Sequence, residues 1–183
     1  EETVRSVLLP LWNVYSFFVT YANAAKFEPT GTRRHSAHPL DRYVRAEARK
    51  IDPLVLTAAR LYPDMLPMSR QVQIACDNAK GAVARLSGVE APKHEDTEKT
   101  FVEFKARIAK TLDFVGGFKP AQLDGSEQKE IVLKLGGNDV RFVGRQYLLG
   151  YALPNFYFHV TTAYDILRHS GVDIGKRDYI GVP

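Results

Sequence analysis

The chain is poor in several residue types, and each shortage excludes something. Its 183 residues include one cysteine, two methionines, one tryptophan and five histidines. The single cysteine, Cys76, rules out an intrachain disulfide framework and any Cys-rich zinc cluster. It fits a reducing compartment and the role of a small buried hydrophobe rather than a reactive thiol. Charge of one sign is also scarce. Lys and Arg number 25 against 21 Asp and Glu, a net charge of +4. That falls short of the dense basic footprint of a nucleic-acid binder, and the longest basic clusters are the pairs Arg33-Arg34 and Lys176-Arg177. There is no Gly-rich phosphate loop and no nucleophile elbow. Only residues 6–25 form a long stretch without formal charge. The stretch has the length of a membrane span, yet Pro10, Asn13, Ser16, Thr20 and Asn23 lower the gain from insertion. Glu1-Glu2 is not the basic region of a secretory signal. A cytoplasmic protein without a membrane span is the expectation.

What is present is apolar periodicity. Hydrophobic residues make up 45% of the chain, and the length suits one domain with a core of its own. Val4, Leu8, Leu11, Tyr15 and Phe18 recur at helical steps, with Pro10 as a kink or break. Phe27 to Pro39 reads as a linker and Leu40 to Lys50 as a short charged helix. Asp52-Pro53 is an N-cap followed by a first-turn proline, opening a helix expected to end near Tyr62-Pro63. From Pro67, a stripe of Met68, Val72, Ala75, Cys76, Ala79, Val83 and Leu86 predicts a helix to Gly88, with Ala75, Ala79 and Ala82 permitting close approach. Thr97 is the expected cap of a further helix with Phe101, Phe104, Ile108, Leu112 and Val115 inward, closed by Gly116-Gly117. Alternation at Ile131, Leu133 and Leu135, then at Val140 and Phe142, predicts a β-hairpin around Gly136-Gly137-Asn138-Asp139. The longest aromatic-rich helical pattern runs from Gly144 to His169 and is the expected central helix. The tail beyond Gly171 reads as irregular, docked by Ile174, Tyr179 and Ile180. The fold class is therefore all-α, a four-helix bundle with one small hairpin before the last helix.

Two resemblances divide the chain. Residues 1–23, Glu1-Glu2-Thr3-Val4-Arg5 through Tyr21-Ala22-Asn23, resemble the helix that enters the anticodon-binding domain of isoleucyl-tRNA synthetases, and Pro39-Leu40-Asp41-Arg42-Tyr43 resembles the next helix start there. The two ATP-site signatures of those enzymes are absent, so the resemblance does not imply aminoacylation. From about Ala46 onward the chain resembles a bacterial family of unknown function in the DinB/YfiT-like superfamily of metalloenzymes. The residues that carry this are Ile51-Asp52-Pro53, Leu61 to Pro67, Arg70 to Asp77, Leu153 to Arg168 and Gly175-Lys176-Arg177-Asp178. It implies an up-down-up-down four-helix bundle. The chain then reads as a fusion, with residues 1–45 as synthetase-like helix and linker and 46–183 as the bundle domain; residues 1–25 stand in for the first bundle helix.

The superfamily resemblance also implies a divalent metal held by three histidines, two of them spaced His-x-x-x-His on the last helix. Here that spacing meets Asn155 and His159, and the third position falls near Gln71 or Gln73. One histidine of the set remains. His169 lies ten residues beyond His159, about 15 Å along a helix, too far to share an ion. Amides are weak ligands for zinc or nickel. The expected metal site is degenerate, with His159 its one ligand, and no cofactor is firmly expected.

Three functions stay open. The first is a small-molecule site in a core pocket formed by His159, Asn155, Gln71, Gln73, Tyr151 and Tyr164, against the plainer alternative of a satisfied core histidine. The second is a non-catalytic homodimerisation or interaction module. The third is a tRNA-binding remnant, which would need a basic face of Arg33, Arg34, Arg42, Arg45 and Arg49. The residues do not decide between an enzyme and a binding protein.

Overall fold

The computed structural model describes residues 52–180. The expectations for residues 1–25 as a first helix, for the 27–39 linker, for the 40–50 helix and for the basic face at Arg33 to Arg49 lie outside the described residues. Within them the chain is mostly helical. Five helices carry labels: α1 (Pro53–Ala58), α2 (Met68–Ser87), α3 (Phe101–Gly116), α4 (Leu153–His169) and α5 (Lys176–Ile180). A two-stranded antiparallel sheet, β1 (Glu130–Leu135) and β2 (Asn138–Val143), precedes α4. No helix among the described residues is long and apolar enough to cross a membrane.

Asp52 caps α1, its carboxylate accepting from the Leu54 amide at 2.8 Å with Pro53 in the first turn. The helix stops at Ala58, short of Tyr62-Pro63. The chain turns extended at Ala59, whose carbonyl accepts from Met68 N at 2.9 Å. This ties off residues 60–67 as a loop at the foot of α2. Pro63 and Pro67 suit that loop, since the residue before a proline is pushed out of the helical region.

α2, and not α4, is the helix around which the described chain is built, packing on both α3 and α4. The stripe read in the sequence is buried throughout. Its alanines bring α2 close to its neighbours, and the core divides along its length. At the hairpin end Ala79, Val83 and Leu86 meet Ile131, Leu133, Tyr147, Leu148 and Phe156. At the other end Met68, Val72 and Cys76 meet Phe104, Ile108, Ile166, Leu167 and Ile174. Gly88, at φ 84°, ends α2 in the left-handed region that favours glycine. The Lys129 ammonium donates to the Leu86 carbonyl at 3.1 Å, placing a cation at the negative end of the helix.

Thr100, not Thr97, caps α3. Its hydroxyl accepts from Glu103 N while the Glu103 carboxylate accepts from Thr100 N, a reciprocal pair that satisfies two orphan donors. The hairpin closes through two residues alone. Leu135 pairs with Asn138, and Gly136 and Gly137 both have positive φ, as a type I′ turn requires. Gly144 leaves the sheet where no side chain fits, because a Cβ there would sit 1.9 Å from the Ser126 carbonyl oxygen.

The run from Gly144 to His169 is not one uniform helix. A turn at Gly144–Gln146 widens into a π-helix over Tyr147–Ala152 before α4 begins. Leu153 N bonds Leu148 O, five residues back. Pro154 supplies the reason: it has no N–H, and its ring would clash with the carbonyl four residues earlier in α-helical register. The tail is the last difference. Residues 176–180 form the short α5, the Asp178 carboxylate accepting from Gly175 N at 2.7 Å. Ile174 is buried and Tyr179 half-buried, while Ile180 is exposed.

Candidate functional site

Two helices meet at the candidate site. Gln71 sits in the first turn of α2 and is 1% exposed. His159 sits in α4 and is half-buried. Their side chains touch, with His159 Nδ1 and Gln71 Oε1 2.7 Å apart. The other end of the Gln71 amide is also held, Nε2 donating to the Leu66 carbonyl at 3.0 Å. A carbonyl accepts only, so Leu66 orients the amide, and the amide oxygen then requires a proton on Nδ1 of His159. The lone pair of the neutral ring is left on Nε2. Burial lowers the proton affinity of His159 below the ordinary histidine value and so favours this neutral form. The Phe158 ring stands edge-on to the imidazole, centroids 5.2 Å apart, and is itself exposed.

Asn155 lies one turn before His159, on the same face of α4. Its Nδ2 donates to the Tyr151 carbonyl at 2.8 Å. That carbonyl lies at the edge of the π-helix, where the backbone ladder is disturbed. With one N–H so used, Asn155 keeps a second N–H donor and Oδ1 as an acceptor.

Of the two glutamines, only Gln71 meets His159. Residues two apart on a helix point to different sides, and Gln73 turns toward the loop before α3. There its Nε2 donates to Glu98 at 2.9 Å and its Oε1 accepts from Arg70 at 2.8 Å. Tyr151 contributes its backbone to Asn155, while its ring packs on Phe142 and Tyr147. Tyr164 packs against Tyr179, centroids 5.6 Å apart. So Gln71 and His159 touch, with Asn155 one turn away on α4, while the Gln73 side chain is held by Glu98 and Arg70. His169 ends α4 and is exposed.

The described residues at this seam do not supply a three-histidine metal centre. Nδ1 of His159 is committed to Gln71, and the Gln71 oxygen faces the ring. Among the described residues no three His, Cys, Asp or Glu side chains are grouped as a metal site.

A second polar cluster had no expectation attached to it. Arg107 of α3, its side chain 1% exposed, reaches Asp77 at 2.9 Å, Asp96 at 3.0 Å and Glu98 at 3.1 Å. It also donates to the Glu95 carbonyl at 3.1 Å. Lys80 pairs with Asp77 at 2.8 Å, and Arg70 with Asp96. Burial alone would raise the Asp96 and Glu98 carboxyls; hydrogen bonds from Arg70 to Asp96 and from Gln73 to Glu98, joined by Arg107 at both, outweigh it and hold both below their ordinary values. The cluster fastens the irregular 88–100 segment across α2 and α3. A sequence offers no periodicity for it, since its members come from two helices and a loop. Cys76 lies beside it, buried, with burial pushing its thiol up to about 11. Such a thiol is inert.

Comparison with known proteins agrees with this architecture. A model of the family described as "Domain of unknown function (DUF1993)" matches residues 40–180. A crystal structure described as a DinB family member protein from Shewanella denitrificans matches with a TM-score of 0.68 and 37% identity, covering 96% of this chain and 96% of that one. Isoleucine–tRNA ligases match over short segments. That of Dehalococcoides mccartyi is 47% identical over 51 residues, 27% of this chain and 5% of the ligase. That of Thermus thermophilus is 40% identical over 63 residues, 34% of this chain and 6% of the ligase. The chain thus spans only a small part of these ligases.

Proposed function

The chain belongs to the DUF1993 family, a domain family of unknown function with a DinB-like fold, and from that premise we propose that it binds a small molecule through His159 at the seam of α2 and α4. The observation that carries this reading is the relay from the Leu66 carbonyl through Gln71 to His159 Nδ1. Holding a half-buried imidazole in one tautomer, with its second nitrogen unpartnered among the described residues, is how a protein prepares a hydrogen-bond acceptor, a base or a ligand atom. A purely structural histidine would gain by spending both nitrogens. The metal position is degenerate in this reading, two amides standing where further imidazoles would be needed. The reading extends to the full up-down-up-down four-helix bundle, supported by the coverage of the Shewanella structure.

The test is a small-molecule fragment screen by NMR on the purified chain, repeated on His159→Ala and Gln71→Leu, with metal analysis alongside. Fragments that perturb His159 and lose binding in both variants are expected. A screen whose hits are all indifferent to His159 contradicts the reading, and stoichiometric divalent metal that disappears in His159→Ala contradicts the degenerate site.

One observation favours a second reading, the homodimerisation module. Leu54, Val55, Leu61, Tyr62 and Leu66 are each exposed on or just after α1. Sedimentation equilibrium decides it: a dimer weakened by Leu61→Glu with Tyr62→Glu supports it, and a monomer throughout the micromolar range removes it.

A further inference from the structure

The hairpin leaves a strand edge open. Among the described residues β1 pairs with β2 alone. Antiparallel pairs alternate between those that exchange backbone hydrogen bonds and those that do not. The closing pair of the two-residue turn, Leu135 with Asn138, is of the bonded kind. At the far end of the ladder Gly144 N donates to Lys129 O at 2.8 Å, in the same alternation. Lys129, Ile131, Leu133 and Leu135 therefore direct their backbone groups to β2. Glu130, Val132 and Lys134 direct theirs away from it, and no backbone partner meets them among the described residues. Their side chains are exposed, while Ile131 and Leu133 fill the core. A cleft of about 400 Å³ lies open beside this edge, between residues 130–132 and residues 88–90. An unpaired edge of this kind is a template for another strand.

We propose that β1 pairs antiparallel with the β1 strand of a second copy of this chain, about a two-fold axis at Val132, joining the two hairpins into one four-stranded sheet. The edge is complementary to itself. An antiparallel register centred on Val132 sets Val132 against Val132, and Glu130 against Lys134 at both ends. In this register the outward backbone groups of the two strands meet as bonded pairs. Val132, 45% exposed, acquires an apolar neighbour. Each Glu130 acquires a cation directly opposite, where unlike charges stabilise and like charges destabilise. Glu130 already accepts from Arg141 at 2.7 Å, and Lys134 lies across the hairpin from Asp139. The joined sheet therefore carries Arg141 and Glu130 of one copy, then Lys134 and Asp139 of the other, in alternating sign. A register slipped by two residues in either direction loses both Glu130–Lys134 pairs. This surface shares no residue with the apolar patch at α1, and it does not depend on the small-molecule reading of His159.

Sedimentation equilibrium of the full chain, from about 10 µM to about 1 mM, tests the proposal. A six-residue strand buries little area, so a weak, reversible dimer is expected. Shifts of the Glu130, Val132 and Lys134 amides with concentration are expected in the ¹⁵N spectrum. Lys134→Glu and Glu130→Lys each turn two attractive pairs into repulsive ones, and each is expected to weaken its own dimer about tenfold. Mixing the two variants restores both unlike pairs, so a mixed dimer within about threefold of the unmodified affinity is expected. Leu61→Glu with Tyr62→Glu is expected to leave this dimer intact. A chain that stays monomeric at about 1 mM overturns the proposal, as does a dimer indifferent to both charge variants or a mixture that fails to recover. A dimer lost in Leu61→Glu with Tyr62→Glu also overturns it and assigns association to α1. None of these outcomes bears on His159.

Discussion

Replacing Arg107 with leucine tests the cluster that fastens residues 88–100. The guanidinium, 1% exposed, serves Asp77, Asp96 and Glu98 at 2.9–3.1 Å and the Glu95 carbonyl at 3.1 Å. The three carboxylates will not suffer equally. Asp77 and Asp96 are about two-fifths exposed and keep Lys80 and Arg70, respectively. Glu98 is 12% exposed and keeps the Gln73 amide and a backbone N–H, but no other cation among the described residues. Removing one partner of a buried ion pair costs about 3–5 kcal/mol; with two of the three acids still hydrated and paired, the low end, about 3 kcal/mol, applies. In a chain of this length that is a fall in Tm of roughly 6–12 °C. The pH dependence has a definite sign. Asp96 and Glu98 are held below their ordinary values, so the stability they contribute is full above the ordinary glutamate value of 4.5 and is lost as pH falls through their folded values. Without Arg107 that contribution shrinks, so the gap between the two chains narrows below pH 4.5. Thermal unfolding between pH 3 and pH 8 measures both quantities. Adding Glu98→Gln to the leucine variant removes the stranded charge and is expected to recover part of the loss. A fall of under about 2 °C, the scale of surface pairs, with no rescue by Glu98→Gln, would refute the account of Arg107 as a buried clamp.

Other expectations follow from single contacts. Gly144→Ala places a methyl group 1.9 Å from the Ser126 carbonyl oxygen and is expected to cost about 1–3 kcal/mol in chemical denaturation, whereas Gly150→Ala, with nothing within 4 Å, leaves the midpoint unchanged or raised. The Cys76 thiol, pushed up to about 11 by burial, is expected to resist a thiol reagent at pH 8 until the chain unfolds; stoichiometric labelling of the folded chain contradicts its packing. Gln71→His combined with Asn155→His would give three imidazoles at the α2–α4 seam. The double variant is expected to retain nickel or zinc through gel filtration; failure to do so would mean that these positions do not converge.

Much of the fold was legible because it is local and periodic. The buried stripe of α2, the Asp52-Pro53 start and the Gly-Gly hairpin are each written in a few adjacent residues. The boundaries that moved have local causes of their own. Thr100-x-x-Glu103 is a capping box in plain sequence and outranks Thr97, whose third neighbour is Thr100 itself. Pro154 announces that no regular α-helix runs through Tyr147–Ala152, although the aromatic periodicity masks it. Ile180 continues the apolar pattern of the tail, but α5 ends with it exposed. The site was legible only in part. His159 and Asn155 are four apart on one helix, so their proximity is readable, whereas Gln71 is 88 residues from His159 and its twin Gln73 is chemically identical. Only the rotation of α2 against α4 distinguishes them. The Arg107 cluster was not legible at all, because a charged residue within a charge-rich helix looks like a solvated face until the loop over it is seen.

The central claim is that Gln71 locks His159 as a neutral imidazole with its lone pair on Nε2. A ¹⁵N–¹H NMR measurement of the side-chain ring nitrogens at neutral pH, assigned by comparison with His159→Ala, tests it most directly. The account predicts a proton on Nδ1, a bare Nε2, and loss of that preference in Gln71→Leu. A proton on Nε2, a doubly protonated ring at pH 7, or a tautomer indifferent to Gln71 would contradict it.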